Sequence, residues 1–217
     1  MHHSSPITAL NEETYRQALA ELSAKDSDLA GVILKWGNPP FWIHAPGFPG
    51  IVIAILAQQV SLESARAAFA RLEKAIGWIT PEGFSALDNG ALRSIGFSRK
   101  KASYVLGIAS EIMTGAFDFA TLNAMDNDAV RKRLTELKGI GPWTGDTYLL
   151  FSMRRPDAWP SGDLALAKAS QELKGLTDTP CSEEVDEIAG RWKPFRSVAA
   201  RILWHHYLCE RGRGVSA

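Results

Sequence analysis

Leu137-Lys138-Gly139-Ile140-Gly141-Pro142-Trp143-Thr144 decides how this chain is read, together with Trp159-Pro160-Ser161-Gly162-Asp163-Leu164 downstream. Ahead of the first stretch, Asp128 to Leu137 places Val130, Leu134 and Leu137 at helical spacing, and Trp143 to Phe151 is helical again. A tight hairpin must therefore join two helices. Gly139 and Gly141 are expected to supply positive φ in that turn, and Pro142 suits the first position of the second helix, where a missing N–H costs nothing. The amides at that helix start face outward, at the positive end of the helix dipole, and favour an anion. Lys138, Gly139, Gly141 and Thr144 are the candidate phosphate-binding residues. A grip made of backbone atoms reads a nucleic-acid strand and not its sequence. In the second stretch, Asp163 stands where the pattern Leu164 to Leu173 begins, the usual place of a helix N-cap.

The composition sets outer bounds. With 217 residues, 46% of them hydrophobic, and seven tryptophans, the chain can bury a real core in one compact unit or two small lobes. No run of about 18 uncharged apolar residues exists, so no membrane partner is expected. The start, Met1-His2-His3-Ser4-Ser5-Pro6, has no apolar signal core and too few histidines for a metal site, which makes a cytoplasmic location the expectation. Cys181 and Cys209 are the only cysteines, too few for a disulfide scaffold or a four-cysteine iron–sulfur cluster. The formal net charge is zero, where DNA-binding domains are usually basic. Residues 91–217 nevertheless carry a net +3 against −3 for residues 1–90, with clusters at Arg99-Lys100-Lys101, Arg131-Lys132-Arg133 and Arg154-Arg155.

Helical periodicity dominates and sustained two-residue alternation is absent, so the fold class is all-α. Helices are predicted over residues 10–23, 48–76, 81–93, 98–114, 126–137, 142–153, 163–173, 182–190 and 194–210. Their start signals are Thr80-Pro81-Glu82, Ser98 and Ser182-Glu183-Glu184. A loop rich in Pro and Gly, Asn38 to Gly50, precedes the long apolar helix. There is no tandem repeat.

The hairpin block with Trp-Pro-Ser-Gly-Asp-Leu downstream resembles the helix-hairpin-helix DNA glycosylases, and within them the 3-methyladenine DNA glycosylase II group. Three further segments agree, in the family's order: Ala54 to Ser61 (with Gln58-Gln59), Ile95 to Ala102, and Arg191 to Trp204. The resemblance implies two helical lobes with a cleft between them. Residues 47–155 would form a central lobe containing the hairpin, and residues 1–46 with 156–217 a second lobe carrying the catalytic Asp. The residues before Gln58 read as helix plus loop, which implies the short form lacking the family's N-terminal β domain.

By the same resemblance Asp163 is the catalytic carboxylate, stabilising positive charge on the sugar and orienting water as the bond to the base breaks. Asp146 and Asp157 are the rival carboxylates. Trp143 and Trp204 match aromatic positions of the base pocket, where a flipped, electron-poor base stacks. Two other aromatic positions of that pocket are Thr147 and Leu164 here, and Phe41 or Trp42 is expected to compensate. Gln59 matches the intercalating position that fills the hole left by the extruded base. His44 and the Arg99-Lys100-Lys101 cluster are further candidates for touching the DNA backbone. The main-chain carbonyls of Thr135, Leu137 and Ile140 would hold a monovalent cation, Na+ or K+. Where glycosylases that also cut the strand carry a Schiff-base lysine, this chain has Trp143, which implies a monofunctional enzyme. The expected partner is double-stranded DNA containing damaged bases, engaged by a monomer. Two other readings stay open: a catalytically silent helix-hairpin-helix module that recognises DNA structure, and a glycosylase for hypoxanthine, ethenoadenine or another deaminated base.

Overall fold

The computed structural model describes residues 8–213; the Met1–Pro6 start lies outside them. Twelve α-helices and one 3-10 turn account for the regular structure, and no strand occurs among the described residues. The chain divides into two compact units, one formed by His44–Tyr148 and the other by Met1–Ile43 with Leu149–Ala217.

The His44–Tyr148 unit is built on α3 (Phe48–Leu56). Its sequence Phe-Pro-Gly-Ile-Val-Ile-Ala-Ile-Leu has no polar face, and all of it except Pro49 is buried. A helix apolar all round belongs inside a core. Against it pack α4 (Leu62–Ile76) and α7 (Arg99–Met113), on which α5 (Pro81–Ser85) and α6 (Asn89–Ile95) lie in turn; the 3-10 turn Phe119–Ala124, α8 (Asn127–Thr135) and the start of α9 (Pro142–Phe151) complete the unit. Two expected helices prove to be interrupted. The stretch 48–76 breaks after Leu56, because Gln59 adopts a φ of 56°, and Ser61 then caps a new helix by accepting from the Ser64 N–H. The stretch 81–93 breaks at Asp88, whose side chain accepts from the Ala91 N–H at 2.7 Å and starts α6. Each break is a side-chain cap that outcompetes helix continuation.

In the other unit α12 (Arg196–Glu210) is the central element, with Ser197 to Leu203 buried without interruption. It packs against α1 (Glu12–Lys25), α2 (Ser27–Trp36), α10 (Leu164–Lys174) and α11 (Ser182–Gly190). Helix α2 lies in a segment expected to be non-helical. Its signal was present: Asp26 accepts from the Asp28 and Leu29 N–H groups, and Leu29 and Val32 turn inward. Gly37, at φ 78°, ends it. No helix among the described residues is long and apolar enough to cross a membrane.

Candidate functional site

In the His44–Tyr148 unit the hairpin runs from the end of α8 to the start of α9. Leu137 and Ile140 are buried and anchor the turn from below. The Leu137 N–H donates to Leu134 O and the Ile140 N–H to Leu137 O, both at 3.1 Å. The two glycines play different parts. Gly139 has a φ of 94°, and a Cβ there would sit 2.3 Å from the Tyr104 ring, so both backbone and packing demand glycine. Gly141, expected to share that conformation, has no positive φ. A Cβ on it would meet nothing within 4 Å, so its missing side chain leaves the backbone open to an approaching group.

The first rung of α9 is the Gly145 N–H donating to Gly141 O at 3.0 Å. The main-chain N–H groups of Trp143 and Thr144 stand ahead of it, at the positive end of the α9 dipole. No acidic side chain occupies that first turn. The Thr144 side chain is buried and accepts from Gln58, so what this residue offers an anion is its main-chain N–H. Lys138 is exposed on the turn. Arg131 of α8 donates through Nε and Nη2 to Asp146 of α9, at 2.9 and 2.7 Å. That clamp fixes the angle of the hairpin and commits the buried Asp146 carboxylate to a structural role.

The turn between α3 and α4 carries Gln59, exposed and with positive φ. Its neighbour Gln58 was not singled out by the sequence reading, yet it holds this turn to the hairpin. Gln58 Nε2 donates to Gly139 O and to Thr144 Oγ1, each at 3.0 Å. Lys101, one of the Arg99-Lys100-Lys101 cluster put forward for the DNA backbone, turns inward and donates to Leu56 O at 2.7 Å, where burial lowers its pKa. The exposed turn is thus tied at its base to α7 and beside its tip to the hairpin. His44 is half-buried.

The cation expected at the hairpin would be held by neutral main-chain oxygens. Of the three, Leu137 O already accepts from the Ile140 N–H, and a carbonyl has a second lone pair to offer. Backbone carbonyls can stand in for the hydration shell of a monovalent cation such as K+. Among the described residues no group of three or more His, Cys, Asp or Glu side chains could hold a metal ion.

In the other unit, Asp163 closes a turn in which Gly162 has a φ of 76°. Its Oδ1 accepts from the Leu166 N–H at 2.9 Å, the N-cap bond of α10, and from Trp204 Nε1 at 3.2 Å. Capping thus leaves the carboxylate able to make a second contact, which brings Asp163 to an aromatic ring from a residue far along the chain. The loop before it is pinned by Asp186 of α11, which accepts from Trp159 Nε1 at 2.8 Å and Ser161 Oγ at 2.7 Å. Asp157, the other rival carboxylate, is paired with Arg196 through Nε and Nη2 at 2.9 and 2.8 Å.

Trp204 is half-buried and stacks on Phe151, with ring centroids 5.4 Å apart and planes 18° from parallel. Phe41 stacks on Tyr15 at 4.6 Å, and Trp42 turns its main-chain carbonyl to Arg201. These two are thereby drawn into a cluster around Arg201. Of the positions with lost aromatics, Leu164 is 67% exposed next to Asp163, and Thr147 is buried with its hydroxyl donating to Thr144 O. The structure joins Asp163 to Trp204 in one unit. Trp143, Gln58, Gln59 and the hairpin amides fall in the other.

Residues 52–194 match the family model described as HhH-GPD superfamily base excision DNA repair protein. A DNA-3-methyladenine glycosylase of Schizosaccharomyces pombe is 30% identical over 71% of this chain and 69% of its own length. A putative DNA-3-methyladenine glycosylase of Bacillus subtilis is 28% identical over 88% of this chain and 69% of its own. Among solved structures, the S. pombe 3-methyladenine DNA glycosylase in complex with abasic DNA superposes with a TM-score of 0.80 at 25% identity, covering 92% of this chain and all of that one.

Proposed function

The chain belongs to the HhH-GPD superfamily of base excision DNA repair proteins, and from that premise we propose that it is a monofunctional glycosylase for alkylated purines such as 3-methyladenine and 7-methylguanine. The observation that carries this reading is Asp163, a carboxylate fixed by a helix N-terminus and by the indole of Trp204. As the bond between C1′ and the base nitrogen breaks, its electron pair leaves with the base and positive charge builds on the sugar. Asp163 stabilises that charge and takes the proton of the water that adds to C1′. Asp146 and Asp157 are each bound to a guanidinium and are poorly suited to the task.

In its own unit Trp204, beside Asp163, supplies a stacking surface for the extruded base; in the other unit Trp143 is the second aromatic position the family pattern implies, and Gln59 the residue that enters the space the base leaves. The amides of the α9 start, with Lys138 beside them, hold a backbone phosphate. A cation on the carbonyls of Thr135, Leu137 and Ile140 would add positive charge on the same side of the hairpin. Trp143 cannot attack C1′ as a lysine does, so the product is an abasic site on an unbroken strand. The protein acts as a monomer in the cytoplasm on double-stranded DNA. Release of free base from methylated DNA, followed by chromatography with and without alkali, tests the reading. Base release with strand breakage only after alkali is expected. DNA binding without release would instead favour a silent structure-recognition module, and release only from hypoxanthine- or ethenoadenine-containing DNA would favour a different lesion.

A further inference from the structure

The turn between α3 and α4 stands in a conformation that its own sequence disfavours. Gln59 is exposed with a φ of 56°, a left-handed backbone that a residue bearing a Cβ adopts only under constraint. Just beyond it Val60 and Leu62 are 46% and 56% exposed, and such apolar side chains gain by folding back against the protein. Neither feature maintains itself, so the surroundings must hold it. The outgoing side is fixed locally, by Ser61 Oγ accepting from the Ser64 N–H at the start of α4. The incoming side is fixed from a distance. Lys101 of α7 donates to Leu56 O, and Gln58 Nε2 donates to Gly139 O and Thr144 Oγ1 at 3.0 Å each. The two N–H bonds of a primary amide match those two acceptors one for one.

Both Gln58 bonds end on the hairpin. Gly139 is the residue whose positive φ makes that turn, and Thr144 carries one of the main-chain N–H groups proposed for the phosphate. We propose that Gln58 is a positioning residue that acts through Gln59, joining the hairpin and the α3–α4 turn into one preformed device. A phosphate seated at the α9 start then sets Gln59 against the base stack with no rearrangement of the turn. The inference rests on the reading of the hairpin as a phosphate grip and of Gln59 as the residue that enters the vacated space. Ordering a loop at the moment of binding subtracts from affinity, and a loop ordered in advance does not. The benefit is felt only where there is a gap to enter. An undamaged duplex, with its bases stacked, engages the hairpin alone, whereas a duplex with an abasic site engages the hairpin and Gln59 together.

The test measures affinity by fluorescence anisotropy for an undamaged duplex and for the same duplex carrying one abasic-site analogue. Wild type is compared with Gln58→Met, Gln59→Ala and the double variant, since Met keeps the length of the side chain and removes the amide. Gln58→Met should lose about tenfold in affinity for the abasic-site duplex and stay within about twofold of wild type on the undamaged one. In the Gln59→Ala background the same change should lower affinity by less than about twofold on either duplex, because no inserting side chain is left to position. Equal losses with and without Gln59, or equal losses on both duplexes, mean that Gln58 only stabilises the hairpin, and overturn the proposal. Should Gln58→Met fail to fold, Thr144→Val carries the same comparison, since it removes one acceptor and keeps shape and main chain. Its loss on the abasic-site duplex should be about threefold and must likewise vanish in Gln59→Ala. A wild-type protein that binds both duplexes equally contradicts the reading of Gln59 itself, and the proposal falls with it.

Discussion

Helices α9 and α10 begin in opposite ways. At α9 the chain arrives through Gly141 and Pro142, places no acidic side chain in the first turn, and leaves main-chain N–H groups at the positive end of the dipole. At α10 it arrives through Gly162 and fills the same position with its own carboxylate, Asp163. The first terminus carries no anion of its own among its first-turn side chains, and a backbone phosphate is the anion proposed for it. The second already holds one, and holds it against an indole. In the function proposed above, one physical property, the donors of a helix start, serves binding in one unit and chemistry in the other.

The largest effect should come from removing the charge at the second terminus. Asp163→Asn preserves shape and retains a side-chain acceptor for the Leu166 N–H, while base release falls by roughly 10²–10⁴-fold in single-turnover assays. Binding to an abasic-site analogue should persist. A variant with near wild-type release would move catalysis to Asp146 or Asp157 and end the comparison.

Next in size are the glycines before the first terminus, and they should part company. Gly139→Val forces a β-branched residue into positive φ and drives it into the Tyr104 ring, a loss of roughly 1–3 kcal/mol from backbone strain alone. Its melting temperature should drop by several degrees, and adding Tyr104→Ala should recover only the packing share. Gly141→Val meets no neighbour, so stability should hold while affinity for damaged and undamaged DNA falls equally. Equal melting losses at both positions would show that the turn is only a turn.

A smaller effect is expected at Gln58, which steadies the first terminus through Gly139 and Thr144. Two hydrogen bonds at about 0.5–1.5 kcal/mol each set the scale. Gln58→Ala should weaken binding to abasic-site DNA by roughly tenfold without altering lesion preference, read by fluorescence anisotropy. A change in preference alone would place Gln58 in the base site.

Asp26 is the control for Asp163, a helix cap whose other partners are structural. Burial pushes its pKa up, but the Trp192 indole, the Leu29 and Asp28 N–H groups and the Lys174 charge outweigh that and leave it lowered. A carboxyl lowered on folding contributes stability that is complete above its unfolded pKa, near 4, and is lost as pH falls through the folded value. Acid titration of wild type should therefore lose stability below about pH 4 more steeply than Asp26→Asn does. Base release at neutral pH should be unaffected by the change, in contrast to the large fall expected for Asp163→Asn.

The hairpin was legible because its determinants are contiguous: helical spacing on both sides, Gly and Pro between, each acting on the local backbone. The all-helical class was legible for the same reason. What escaped depends on encounters across the chain. Nothing in Gln58-Gln59 says that the first glutamine reaches a carbonyl 81 residues away. Nor does an arginine in an apolar run announce that its partners are the carbonyls of Trp42 and Leu150. The missed helix α2 and the break at Gln59 are subtler, since each turns on one residue: the Asp26 cap was read as loop, and a glutamine was not expected to adopt positive φ. The basic cluster at residues 99–101 was put forward for the DNA backbone on its charge, which carries no direction, and Lys101 turns to the Leu56 carbonyl.

The central claim, hydrolysis assisted by a carboxylate with no amine attacking the sugar, is tested most directly by incubating the protein with lesion-containing DNA in the presence of borohydride. The account predicts free base, no covalent protein–DNA adduct, and a strand that breaks only when alkali is added. A trapped adduct would mean that Lys138, Lys168 or another amine reaches C1′, and it would contradict the account even if Asp163 proved essential.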